Sequence, residues 1–130
     1  MSIRTEIKGL QELQAANARV LAALKPSGAF GRCIQYVTLG AQRVAAAVSH
    51  VDTGAMRAGH IARLALNIGR GYIYLNPAAR NPRSGRAVAE YGVYEHNRGD
   101  SHAFYDITVD DYGPVLVRRG YQIVGDATGL

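Results

Sequence analysis

Through the first fifty positions apolar residues recur at three- and four-residue steps. Leu10, Leu13, Val20, Leu21 and Leu24, with Asn17 in the same series, predict a helix over 9–25, ended by Pro26-Ser27-Gly28. Phe30, Ile34, Val37, Ala41, Val44, Ala45 and Val48 predict a second helix over about 28–50. Its alanines at 41 and 45–47 favour helix and permit close packing, and Gly40 is the position that suits a helix least. The Pro-Ser-Gly junction makes the two a helical hairpin. After Gly54 the rhythm changes. Ala55–Gly59 reads as a short helical turn, and Ile61–Ile68 and Gly71–Leu75 read as two strands. The second strand is aromatic and β-branched, and Gly69-Arg70-Gly71 is the expected hairpin loop.

Asn76–Arg86 holds two Asn-Pro pairs, a Ser-Gly and three arginines, with nothing to bury. It reads as a loop, and loops of this length are functional or mobile. Val88–His96 is short and aromatic, helix-like or extended across the sheet. Tyr105, Ile107 and Val109 alternate like a strand, whereas Val109, Tyr112, Leu116, Gly120 and Ile123 keep helical spacing. Residues 104–110 therefore stay open between strand and helix, and a helix is expected over roughly 111–124, with Gly113-Pro114 able to start it afresh. The expected class is α+β: a long helical hairpin plus a C-terminal helix packed on a small antiparallel β-sheet. It forms one domain over 1–130, with a mobile basic loop at about 76–87.

Composition narrows the picture. A hydrophobic share of 48% with 19% charged residues is ordinary for a folded domain, and no apolar run approaches membrane-spanning length. Met1-Ser2-Ile3-Arg4-Thr5-Glu6 is no secretory signal, so a chain made in a cytoplasm, and used or assembled there, is expected. Cys33 is the lone cysteine, which excludes an internal disulfide and disfavours a cysteine-based zinc site; Phe30, Ile34 and Val37 around it suggest a buried small hydrophobe. Of the basic residues behind the net charge of +5, all but Lys8 and Lys25 are arginine, the side chain suited to protein interfaces and phosphates alike. They are spread along the chain, and Arg80, Arg83 and Arg86 form the cluster.

Several chemistries can be tried against these residues. Val51-Asp52-Thr53-Gly54-Ala55 carries the tripeptide with which a homodimeric retroviral-type aspartic protease presents its carboxylate, and Ile68-Gly69-Arg70 resembles a supporting element of such sites. Against that stand the polar His50, a helical run before Asp52, and too few residues between Gly54 and Ile68 for a flap. As a turn, Asp52 or Thr53 would cap the N–H groups of Ala55 or Met56, Gly54 would supply a left-handed backbone, and Arg57 could pair with Asp52 or point to a partner. His50, His60, His96 and His102 match no compact metal motif and fall in different predicted elements. Glu90 and Glu95 lack a conspicuous base or nucleophile beside them. No catalytic residue, metal or cofactor is expected. Arg80, Arg83 and Arg86, with Tyr72, Tyr74 and Tyr91 available for stacking, would be the nucleic-acid surface of a small DNA-binding accessory protein. Tyrosines on strands also fill half-buried sheets and protein interfaces.

Ile7-Lys8-Gly9-Leu10-Gln11-Glu12-Leu13, Val51-Asp52-Thr53-Gly54-Ala55-Met56-Arg57, Ala89-Glu90-Tyr91-Gly92 and His102-Ala103-Phe104, in that order along the chain, together resemble the neck or tail-component proteins of long-tailed bacteriophages, also called tail-completion or head–tail joining proteins. Ile7-Lys8-Gly9-Leu10-Gln11-Glu12-Leu13 resembles the family's opening, a short strand running into the first helix. Val51-Asp52-Thr53-Gly54-Ala55-Met56-Arg57 resembles its signature at the end of the second helix. Ala89-Glu90-Tyr91-Gly92 resembles an aromatic turn, and His102-Ala103-Phe104 falls where a Pro-Phe leads into the last helix. His50, Gly59-His60, Val93 and Ala103 depart from the pattern, and Gly113-Pro114 is expected to shorten or kink the terminal helix. The resemblance implies a non-enzymatic virion protein, made in the bacterial host cytoplasm and built into the neck at the head–tail junction. It implies a homo-oligomeric ring whose partners are head-completion or adaptor proteins and tail-terminator or tail-tube proteins, with nonspecific DNA contact in the lumen and no membrane. Arg57, Arg80, Arg83, Arg86, Glu90 and Tyr91 become the candidate subunit contacts, and Asp52, Thr53, Gly54, Glu90, Tyr91 and Gly92 the signature turns.

Overall fold

The computed structural model describes residues 9–50 and 54–129. Helix α1 runs Leu10–Ala23 and α2 runs Ala29–Val48. A single turn, α3, covers Ala55–Ala58, followed by strands β1, His60–Ala65, and β2, Arg70–Leu75. Helix α4 is Val88–Asn97. The last third is one continuous helical rod: α5 at Phe104–Ile107, a π-helical segment at Thr108–Tyr112, and α6 at Gly113–Thr128. This is the expected α+β class: helices dominate, and the described sheet is a two-stranded antiparallel hairpin.

The helices pack through small residues. Ala45 is wholly buried on α2, and Cys33 is buried on the same helix as expected. Gly120 on α6 sits directly over Cys33: a side-chain carbon there would stand 2.9 Å from both Cys33 Sγ and Val37 Cγ2. Gly40, the weak point of the α2 pattern, lies where Leu116 of α6 crosses, so its lack of a side chain serves packing rather than breaking the helix. The principal partner of α2 is thus α6, and α1 joins the pair through its small face and through Arg19 Nε donating to the Thr128 carbonyl at 3.4 Å.

In the hairpin, His60 pairs with Leu75, Ala62 with Ile73 and Leu64 with Gly71. Directly opposed residues share a face, so these six form one side of the sheet. Gly71 on that side lies against Thr38 of α2, where any added methyl would overlap the threonine hydroxyl. Ile61, Arg63, Tyr72 and Tyr74 take the other side, where both tyrosines remain exposed. A second core, under the far end of the sheet, is built on Met56, Val88 and Phe104, with Val48, Leu75, Tyr91 and Tyr105 against it.

Several sequence expectations are corrected. The first strand ends at Ala65, because Leu66–Ile68 forms a 3-10 turn closed by Gly69 at φ 66. Arg70 and Gly71 belong to β2 and the reversal comes earlier than expected. Residues 104–110 are helical, and the terminal helix reaches Thr128 rather than ending near 124. Gly113-Pro114 opens α6 as expected, with Pro114 in its first turn, but does not shorten the helix. Pro114 lacks an N–H, and in a regular α-helix its ring would press on the Asp110 carbonyl. The wider π turn over Thr108–Tyr112 accommodates that ring while the rod continues. Ala89–Gly92 is part of α4 rather than a turn. Asp52 and Thr53 lie outside the described residues.

Candidate functional site

The end of α2, the loop before α4, α4 itself and the 3-10 turn at Asp100–His102 meet around Phe104, which is 1% exposed. Here the fold gathers all four histidines, which the sequence assigned to separate elements. The Phe104 ring meets His60 and His96 edge-on, each at 5.2 Å between centroids, and Tyr105 at 4.6 Å. His50 and His102 stack on each other at 4.0 Å.

His60 is a buried structural residue with a defined proton order. Ser49 Oγ lies 2.6 Å from the Ala45 carbonyl, to which its hydroxyl donates. It must therefore accept from His60 Nε2 at 2.7 Å. That leaves His60 Nδ1 to accept from the Tyr105 hydroxyl at 3.2 Å. Burial pushes the imidazole down to about 4 and the Tyr105 phenol up to about 12, so both stay neutral near pH 7. Ser49 is 2% exposed and donates away from the histidine, so the pair has the contacts of a core network and not those of an activated nucleophile. His96 Nε2 is buried with no hydrogen-bond partner; Asp106 Oδ1 stands 3.6 Å away, within ion-pair range but beyond a hydrogen bond.

Toward the surface this cluster opens into a cleft of about 460 Å³. Arg83, Ser84 and Arg86 of the loop form one wall, and Tyr91, Glu95 and Arg98 of α4 and its end form another. His50 and His102 close one side, with Met56 and Asn81 also lining it. Glu95 organises the charge. One carboxylate oxygen accepts from Arg98 at 3.0 Å and the other from His102 Nδ1 at 2.9 Å. Burial raises its affinity for a proton, but these two hydrogen bonds and the charges behind them outweigh burial and hold the carboxyl below its usual range. Among the described residues that line it, the charged side chains are Arg83, Arg86 and Arg98 with Glu95, and Glu95 already holds Arg98.

The loop that supplies two of those arginines is tied to itself. Asn81 is buried, and its side-chain oxygen accepts from the N–H groups of Arg83 at 2.8 Å and Ser84 at 3.3 Å. Its backbone N–H reaches the Arg86 carbonyl at 2.9 Å, and Arg80 bridges to Ala87. The sequence reading of this stretch as having nothing to bury is corrected by Asn81, whose amide holds the turn from inside.

The candidate contact residues separate accordingly. Arg83, Arg86 and Tyr91 line the cleft. Arg80 turns back to the Gly85 carbonyl at 3.2 Å. Arg57 donates to the carbonyls of Ala47 at 3.4 Å and Ser49 at 3.3 Å, so it caps the end of α2. Glu90 is exposed, 3.8 Å from Arg86. Gly54 begins α3 with φ 86, the left-handed backbone expected there, and Gly92 is buried. His50, Asn81, Glu95, Arg98 and His102 were missed as cleft residues. The one local signal was the Glu95–Arg98 spacing, three apart on a helix.

Among the described residues no group of histidine, cysteine and carboxylate side chains could hold a metal ion, and no helix is long and apolar enough to cross a membrane. No family model, no curated protein and no solved structure matches the chain.

Proposed function

We propose that this protein is a non-enzymatic structural component of a tailed-phage particle, a neck or connector subunit at the head–tail junction. It works by contact with several neighbours at once. The observation that carries this reading is large apolar surface left in water on separate helices. Tyr94 on α4 is 75% exposed, Tyr121 on α6 67% and Leu21 on α1 65%. Exposed aromatic and aliphatic side chains on several helices suit contacts with more than one neighbour. A ring subunit needs a face for each ring neighbour and more for the components above and below, because ring contacts are heterologous.

The cleft fits the same picture. Arg86 at its rim offers a forked donor to a carboxylate of a neighbouring subunit, and Tyr91 supplies an aromatic wall. On Tyr72 and Tyr74, beside Arg63, the outer face of the sheet offers a further contact surface. Helix α2 before Asp52 and α3 after it support the turn reading of the Asp-Thr-Gly signature over a strand-borne catalytic carboxylate.

Electron microscopy of particles from the source, with the protein tagged or deleted, tests the proposal. Tag density at the neck, or filled heads and tails that fail to join without the protein, is the expected result. Intact joined particles lacking the protein would overturn it, and accumulation of unprocessed capsid precursors would instead favour a protease acting through Asp52. Changing Arg80, Arg83 and Arg86 together to alanine is expected to abolish joining; unchanged infectivity would remove the loop from the contact surface.

A further inference from the structure

Helix α1 is held to the rest of the molecule along one narrow line. Ala23 is buried and Ala16 and Val20 are half-buried, all on the side that meets α2 and α6. About a quarter-turn away lies a second line that is exposed. Leu10 is 45% exposed, Leu13 57%, Leu21 65% and Leu24 58%, and Asn17 in their midst is exposed as well. At about 100° per residue these five side chains fall within an arc of roughly 80°, a continuous stripe along the helix.

The order of the stripe is a palindrome. Counted from Asn17, leucines stand four and seven positions before it and four and seven positions after it. A helix that packs antiparallel on a copy of itself about a two-fold axis requires this symmetry: each residue i meets a residue j whose partner is again i. With the axis through Asn17, Leu10 faces Leu24 of the second copy, Leu13 faces Leu21, and Asn17 faces Asn17. The two central amides can satisfy each other, and a single polar pair inside an apolar seam fixes register, because any slip buries an amide against leucine. The stripe itself carries no charge, so nothing on it repels its own copy.

We infer that α1 is a self-association surface: two copies of this chain pair through an antiparallel α1–α1 contact centred on Asn17. The pairing uses the α1 face, Leu21 included, that the neck reading also counts as contact surface, but it is tested on the isolated protein, and its failure would leave the particle experiment untouched. It differs in kind from a ring contact, being isologous, so it joins two subunits and stops.

Cross-linking of the full-length protein in a Cys33→Ala background tests the register. Asn17→Cys is expected to oxidise to a disulfide-linked dimer by itself. Leu13→Cys is expected not to, because position 13 and its copy would lie about 12 Å apart along the axis, too far for a disulfide. Mixed with Leu21→Cys chains, it is expected to form a mixed dimer. A Leu13→Cys homodimer would indicate a parallel pair and overturn the proposal, as would absence of the Asn17→Cys dimer. Light scattering on the unmodified protein should give twice the 14.0 kDa chain mass at high micromolar concentration. Leu21→Glu should give the monomer mass with an unchanged circular dichroism spectrum and melting curve, because this side chain is 65% exposed in its own chain. A monomeric unmodified protein, or a Leu21→Glu dimer as tight as the original, would overturn the pairing.

Discussion

Two regions lie at opposite ends of the same helical rod and are held together by opposite means. At the α6 end, the seam with α2 and the sheet is built by omission. Gly120 lets Cys33 and Val37 approach, and Gly71 lets Thr38 approach. At the α5 end, Phe104 is enclosed by His60, His96 and Tyr105, with Ser49, Glu95, Arg98 and His102 wired around them. At Gly120 and Gly71 the first region cannot accept added atoms, and burial makes its Cys33 thiol hold its proton more firmly. The second depends on atoms being present and on which of them are protonated. Close packing by small residues gives rigidity without chemistry, whereas polar packing gives an open, charged cleft at the cost of sensitivity to pH.

The largest effect should come from emptying the polar end. Phe104→Ala is expected to cost about 3–5 kcal/mol in urea unfolding, since the rings of His60, His96 and Tyr105 lose their common centre. A loss below about 1 kcal/mol would mean that the hydrogen bonds rather than the ring hold the cluster.

Acid comes next. His60 takes a proton at about 4 in the folded protein against 6.5 in an unfolded chain, because burial disfavours the charged ring. Between these values the unfolded chain binds more protons, so stability is full above pH 6.5 and falls as pH drops toward 4. The loss should approach roughly 3 kcal/mol at the bottom of that window. His60→Gln should lower stability at pH 7 and flatten the profile across the same window. A wild-type profile that is flat from pH 7 to 4 would contradict the burial of this ring.

Gly71→Ala probes the other end. The added methyl collides with the Thr38 hydroxyl, and a cost of about 1–3 kcal/mol is expected, with no change between pH 7 and 5. Adding Thr38→Ala should restore part of the loss, as expected for coupled neighbours. Additive effects would show that the strain lies elsewhere in the hairpin.

The smallest effect is expected at Glu95→Gln, about 1 kcal/mol at pH 7, because Arg98 and His102 lose their shared carboxylate near the surface. The folded carboxyl titrates below its usual 4.5, so its contribution is present above that pH and disappears as pH falls through the folded value. The Gln variant should match wild type at low pH and diverge as pH rises.

Legibility of the sequence followed the range of each interaction. The spacing of Phe30, Val37, Ala41 and Val48 sufficed for α2, and Tyr72-Ile73-Tyr74-Leu75 for β2, because both patterns repeat within a few residues. The rod over 104–128 was harder: a π turn disturbs the helical spacing, and Pro114 marks a boundary that the wider turn absorbs. The cleft was legible only in its loop arginines. Glu95 and His102 look ordinary in sequence, and His50 lies far from both along the chain. Their meeting depends on α2 ending beside the Asp100–His102 turn, a contact between elements that no local pattern encodes.

By itself the sequence determined an α+β chain with two leading helices, a short aromatic hairpin and a buried lone cysteine, because periodicity and composition act over a turn or a strand. Tertiary structure alone decided that four scattered histidines share one end of the molecule, that Asn81 anchors the arginine loop from within, and that the leucines of α1 stay in water. Helical spacing shows that a helix has an apolar side. Only the packed neighbours show whether that side is covered, since burial is a property of what else the chain brings to the same place.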